Sequence, residues 1–217
     1  MKIVFFVFDG ITALDVVGPY EVLARLPGAE SVFVGPARGT VRTDNQILGL
    51  CADRSIDEID RADLLVVPGG FGTRRLEQDA RVLAWVRAID RTTRVTASVC
   101  TGALVLAAAG LLRDKRANTH WAVRERLAEY GAIPTGERIV RDGKYATAAG
   151  VSAGIDLALA LAVELAGEAI AQSIQLGIEY DPDPPIDSGA PEKAPAAIRD
   201  AVLARVRGRD AAITTGS

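Results

Sequence analysis

Two runs, Ile3–Phe8 and Asp63–Val67, set apolar side chains at consecutive positions, with no polar residue alternating between them from Leu64 onward. A strand of that kind has both faces buried, which is the habit of parallel sheets covered on each side by helices. Segments of helical pattern separate such runs. Asp15–Leu26 reads as a helix, with Pro19 expected in its first turn. Ser31–Val34 reads as a strand and Gln46–Cys51 as part of an edge hairpin or crossover. Asp79–Asp90 is helical in pattern, Arg94–Val99 is a strand, and Thr101–Ala109 is a helix. Further on, Arg116–Asn118 reads as a short strand and Thr119 as the N-cap of a helix over Trp121–Tyr130. Glu137–Val140 and Lys144–Thr147 flank Asp142-Gly143, a hairpin signal. Val151–Ala166 is apolar nearly all round and Glu168–Glu179 follows it. This order predicts an α/β fold with a mainly parallel sheet and helices on both faces.

The expected organisation is one domain over 1–185 and a C-terminal tail over 186–217, the division falling at Asp181-Pro-Asp-Pro-Pro185. The tail carries one expected helix, Ala196–Val206. At 49% hydrophobic residues the chain can bury a large core, and a net charge of −3 argues against a nucleic acid or an anionic membrane as partner. Arg74-Arg75 and Arg113–Arg116 read as solvated faces. The apolar run at 3–8 is too short to span a bilayer, and no signal peptide is expected. Two cysteines, 51 and 100, and one histidine, 120, make neither a disulfide framework nor a zinc site. They point to a reducing, cytoplasmic compartment.

Ligands of such sheets gather at the carboxyl ends of the strands. Three loops leave those ends, at 9–15, 68–73 and 100–102, and are expected to converge. In the third, Ser98-Val-Cys100-Thr-Gly102 follows the logic of a nucleophile elbow with sulfur in place of oxygen. The helix N-terminus beyond it offers N–H groups and partial positive charge, which favour thiolate. Cys100 is therefore a candidate nucleophile, the alternative being a cysteine that only packs. Asp15 is a candidate acid or base beside it, the alternative being a cap of the first helix. The Thr101 hydroxyl either orients a water or substrate or is an ordinary first-turn residue. Gly69-Gly70 brings backbone N–H groups close to a bound group and, with the elbow, would form an anion hole; the alternative is a tight turn. His120 either reaches the site or bonds locally at its helix start. Cys51 is expected to pack in a strand, and Asp156 and Glu164 to serve as cap and surface residues.

These pieces together resemble one family. Leu14-Asp15-Val-Val-Gly18-Pro19-Tyr20-Glu, Val67-Pro68-Gly69-Gly70, Ser98-Val99-Cys100-Thr101-Gly102, Thr119-His120-Trp121, Gly154-Ile-Asp156 and Glu179-Tyr180-Asp-Pro-Asp-Pro-Pro185 are similar to the ThiJ/PfpI superfamily, and within it to the isonitrile hydratase branch. The resemblance spans about residues 1–185. It implies a flavodoxin-like three-layer sandwich and a homodimer. It puts nucleophile, acid and adjacent threonine on Cys100, Asp15 and Thr101, with Gly69, Gly70, His120 and Gly150 at the substrate. The implied reaction adds water to an isonitrile and releases an N-substituted formamide, without cofactor or metal.

Other branches fit less well. Peptidase-like and glyoxalase-like members tend to carry His directly after the nucleophile, where this chain has Thr101. AraC-type regulators need roughly 100 further residues for two helix-turn-helix units, whereas residues after Pro185 run only to 217. A redox sensor or stress protein using Cys100, or aldehyde chemistry at the same thiol, remain the alternative readings. The hydratases resemble Thr-Gly-Gly-Gly before the Val151 helix. Here Thr147-Ala148-Ala149-Gly150 stands, and the two added methyls are expected to narrow a pocket lined by that turn.

Overall fold

The computed structural model describes residues 1–215, with side chains described through Arg209. The strands are β1 (Lys2–Phe6), β2 (Glu30–Gly35), β3 (Gly39–Arg42), β4 (Gly49–Ala52), β5 (Arg54–Ser55), β6 (Leu64–Val67), β7 (Val95–Val99), β8 (Arg116–Ala117), β9 (Ile133–Pro134), β10 (Ile139–Asp142) and β11 (Tyr145–Ala148). The helices are α1 (Ala13–Leu23), α2 (Thr73–Leu76), α3 (Ala80–Asp90), α4 (Gly102–Ala108), α5 (Arg126–Glu129), α6 (Ala153–Ala166), α7 (Glu168–Gly177) and α8 (Ala196–Thr215). Seven strands form one sheet in the order β10-β11-β7-β6-β1-β2-β5. All neighbours are parallel except the β10–β11 hairpin. This is the flavodoxin-like α/β arrangement expected from the alternating pattern.

The apolar runs lie where both-face burial requires them. Ile3 to Phe6, Leu64 to Val67 and the whole of β7 are buried. Register aligns Ile3 with Leu64, and Leu64 with Val95, so β1, β6 and β7 end at one level. The loops beyond them interlock: the Thr12 N–H donates to the Gly69 carbonyl at 2.9 Å, and the Gly72 N–H to the Gly10 carbonyl at 3.0 Å.

Several elements differ from the sequence expectation. The first helix starts two residues early, at Ala13, which puts Pro19 in its interior instead of its first turn. Trp121–Tyr130 is not one helix. A 3₁₀ turn covers Trp121–Val123, and α5 follows. Its cap is His120, whose Nδ1 accepts the Ala122 N–H at 3.3 Å. Thr119 instead turns inward, where its hydroxyl donates to the Cys100 carbonyl at 2.8 Å. Cys51 lies in β4 as expected of a strand residue, but this strand belongs to a separate two-stranded ribbon with β3, and Cys51 is exposed. The last helix runs past Val206 to Thr215. Among the described residues no helix is long and apolar enough to cross a membrane.

Candidate active site

Cys100 ends β7 and opens the turn into α4. Its φ is +56°, in the left-handed region that an L side chain enters only under local constraint. Three bonds hold it there. Its N–H donates to the Ala148 carbonyl at 3.2 Å, its carbonyl accepts the Thr119 hydroxyl, and it also accepts the Ala103 N–H at 3.4 Å. The structure thus turns the sulfur out of the strand toward the loops after β1 and β6.

Asp15, in the first turn of α1, is fully buried and meets this turn from the side. One carboxylate oxygen, Oδ2, accepts the Gly69 N–H at 3.1 Å. The Cys100 thiol interacts with the same carboxyl, yet Oδ1 completes no hydrogen bond of regular geometry among the described residues. Among the described residues no cation answers the carboxylate. Burial therefore dominates and pushes the Asp15 carboxyl up to about 8, against the downward pull of Cys100 and the Gly69 N–H. Burial and then the charge of Asp15 push the Cys100 thiol well above its ordinary range, although the Thr101 N–H and hydroxyl favour its thiolate. The thiolate expected from the helix end is overridden. Desolvation outweighs the N-terminal N–H groups, and both acids are pushed toward their protonated forms.

The glycines act differently from the expected anion hole. The Gly69 N–H is taken by Asp15, and the Gly70 N–H donates to the Thr101 hydroxyl at 2.9 Å. That hydroxyl also reaches the Gly70 carbonyl at 3.1 Å, so Thr101 is clamped to the second loop. A Cβ at Gly69 would sit 2.5 Å from the Thr101 nitrogen and 2.8 Å from Asp15 Oδ2; only hydrogen fits between acid and elbow. Gly150 closes the other side. A Cβ there would lie 3.1 Å from Cys100 Sγ and 3.2 Å from His120 Cδ2.

Cys100, Thr101 and His120 line a cavity of about 330 Å³, with Gly70 and Thr12 at its edge. Burial and the charge of Arg74 lower His120, which is neutral at pH 7. Because Nδ1 accepts from Ala122, the neutral ring carries its proton on Nε2. Ala148 lies in β11 and Ala149 donates its N–H to the Arg138 carbonyl at 2.9 Å. Neither is among the cavity-lining residues, so the expected narrowing by their methyls does not occur.

Sequence reasoning missed several residues here. Arg74, read as part of a solvated face, lines the cavity with its side chain 11% exposed and pairs with Glu77 at 3.4 Å. Asp44 reaches the site from a loop that carries no motif, and Phe71 from the position just after Gly69-Gly70. The tail supplies a wall: Val202, Arg205, Val206 and Arg209 of α8. Their spacing of three, four and seven marks one helical face, a signal present in the sequence, but it does not say what that face covers. Asp156 and Glu164 are held at the surface, Asp156 by Arg138 and the Tyr180 hydroxyl, Glu164 by Arg141 at 2.6 Å. Among the described residues no three His, Cys, Asp or Glu side chains group to hold a metal ion.

Comparison with known proteins gives the family. The chain is 44% identical to an isonitrile hydratase of Pseudomonas putida over 92% of its own length and 87% of that protein. A crystal structure of a ThiJ/PfpI family protein from Pseudomonas syringae superposes with a TM-score of 0.93 at 37% identity, covering 97% of this chain and 89% of that one. Drosophila melanogaster DJ-1beta shares the fold at a TM-score of 0.74 and 22% identity, over 83% of this chain and 98% of its own. The profile of the DJ-1/PfpI family matches residues 1–164. Strand order, strained cysteine turn and these likenesses lead to one conclusion: the chain belongs to the DJ-1/PfpI family.

Proposed function

We propose that this protein is an isonitrile hydratase, a hydro-lyase that converts R–N≡C and water to R–NH–CHO at Cys100. The observation that carries the reading is the buried Asp15 carboxyl, with no cation beside it among the described residues, against the Cys100 thiol. The Pseudomonas putida relative supplies the reaction class. The terminal carbon of an isonitrile accepts a proton and a nucleophile in turn. Asp15 gives its proton to that carbon while the Cys100 sulfur bonds to it, and the thiol proton passes to Asp15. The product is a thioimidate, R–N=CH–S–Cys100. Water then adds across the C=N bond, its hydroxyl going to carbon and its proton to nitrogen. Finally the C–S bond breaks, the hydroxyl proton returns to sulfur through Asp15, and the formamide leaves. One difficult hydration becomes two easier steps. Asp15 is the proton carrier in each, which is why a carboxyl held protonated at neutral pH suits the task.

Thr101 fixes the elbow against Gly70, and the His120 Nε2–H faces the cavity as a donor for the water or the product oxygen. We assign substrate contact to His120, while Gly150, which is not among the cavity-lining residues, gives Cys100 and His120 room to pack. Gly69 and Gly70 act on the Asp15–Thr101 frame and not as an open anion hole. The activity of the Pseudomonas putida relative sets the hydratase reading above a redox sensor using Cys100. We also place the protein in the cytoplasm, on its two free cysteines. We further assign it a homodimer, on the large apolar side chains Leu14 and Val163 left 43% and 46% exposed on α1 and α6. Light scattering at micromolar concentration would show the dimer's mass, and a monomer alone would contradict it.

The test is direct. Purified protein is incubated with small alkyl and cyclic isonitriles and the formamide is measured, with Cys100→Ala alongside. Formamide from the wild type alone supports the reading. No isonitrile consumed by fresh, reduced wild type refutes it.

A further inference from the structure

The wall that α8 lends to the cavity is charged in a way that hydration of a neutral isonitrile does not use. Val123, Val151, Val202 and Val206 give the cavity its apolar lining beside Cys100. Three arginines join this lining, Arg74, Arg205 and Arg209, the last two exposed and so at its rim, with Asp44 the one acidic lining residue among those described. The charge of Arg74 is answered by Glu77. Arg209 is oriented, and no carboxylate among the described residues pairs with it. Its guanidinium lies 4.3 Å over the Phe71 ring, and its Nη2 donates to the backbone carbonyl of Asp44 at 3.0 Å. The Asp44 carboxylate is turned to the Thr12 hydroxyl at 3.3 Å. Arg205 stands one turn before Arg209 on the same helical face and has no ion-pair partner among the described residues.

Resting on the hydratase reading, we propose that Arg205 and Arg209 select isonitriles that carry a carboxylate at the end remote from the –N≡C group. The reactive carbon enters toward Cys100, an apolar stem lies between the valines, and the carboxylate meets the arginine pair at the rim. A guanidinium presents its donors in a planar fork that matches a carboxylate bidentately. Phe71 and the Asp44 carbonyl hold one fork in position before substrate arrives. Because the rim is exposed, the attraction is screened by salt.

The experiment uses the full chain and a matched pair, a carboxylate-bearing isonitrile and its methyl ester. For the wild type at low salt, kcat/KM is expected to favour the carboxylate by about tenfold, as for a good charge-assisted pair. The ratio should shrink as salt is raised. It should fall to near one in the Arg205→Gln/Arg209→Gln double variant, while Arg205→Lys keeps part of it. Circular dichroism checks that α8 stays helical. Equal or better use of the ester by the wild type overturns the proposal, as does an unchanged ratio in the double variant. If neither compound is consumed, the hydratase reading fails, and calorimetric titration with the corresponding N-formyl carboxylate and its methyl ester still decides this proposal. Tighter binding of the carboxylate that the double variant loses supports it; equal binding contradicts it.

Discussion

Two buried carboxylates, one in the first turn of α1 and one at the end of α2, are treated in opposite ways. Glu77, at the end of α2, is surrounded by partners. Arg126 pairs with it at 2.6 Å and Arg74 at 3.4 Å, and the Tyr130 hydroxyl donates to it at 2.9 Å. Burial and then the charge of Glu77 push that tyrosine up to about 12. Asp15 is more deeply buried, and what it receives is one backbone N–H and a thiol. The first carboxylate ties α2 to α5 and behaves as structure. The second is left without a cation among the described residues, so the fold holds it as a neutral acid. A buried charge with partners is stabilising chiefly in the sense that breaking the pair is costly. A buried acid without partners lowers stability and is kept for chemistry.

The contrast is sharpest in turnover. Cys100→Ser and Asp15→Asn should each lower isonitrile turnover by on the order of 10³ or more, and the double variant should be little worse than either, because the pair acts as a unit. Glu77→Gln should retain measurable turnover. Equal losses at both carboxylates would erase the distinction between them.

The next effect is on stability. Glu77→Ala removes the carboxylate that Arg126 and the Tyr130 hydroxyl share, and with Arg126 28% exposed the loss should be about 2–3 kcal/mol. That is roughly 5–10 °C in a thermal melt. Asp15→Asn should shift the melt the other way. The Asp15 carboxyl is raised in the fold from an ordinary 3.8 to about 8. Its contribution to stability is therefore full below pH 4 and falls as pH rises toward 8, where the unfolded chain ionises more readily. The variant lacks this loss. Its melting temperature should match or trail the wild type at pH 4 and exceed it by a few degrees at pH 8. A gap independent of pH would place the Asp15 proton elsewhere.

The smallest effect concerns the clamp. Thr101→Val removes hydrogen bonds worth about 1 kcal/mol each and should slow turnover several-fold without abolishing it. A loss as large as that of Asp15→Asn would make the hydroxyl a direct participant.

How far the site can be read from the sequence follows from the same physics. The runs 3–8 and 63–67 signal both-face burial, and their strand ends bring Asp15, Gly69 and Cys100 together, so this much was legible. Caps and helix starts were less so. Thr119 has the chemistry of a cap, but its hydroxyl serves the Cys100 carbonyl, a tertiary contact no local rule anticipates. The ionisation of Cys100 was misjudged because the helix end is a local feature, whereas burial and Asp15 are products of the whole fold. Arg74 and the α8 wall were illegible for a simpler reason. An arginine next to another arginine, or a valine–arginine stripe in a tail, looks solvated until its partners across the cavity are known.

The central claim is that Asp15 holds a proton at neutral pH. A carbon-13 NMR titration of aspartate side-chain carboxyls, with Asp15→Asn to assign the signal, measures this directly. The account expects the Asp15 resonance to titrate with a midpoint near 8. A midpoint near 4, with the carboxyl ionised throughout the neutral range, would contradict it.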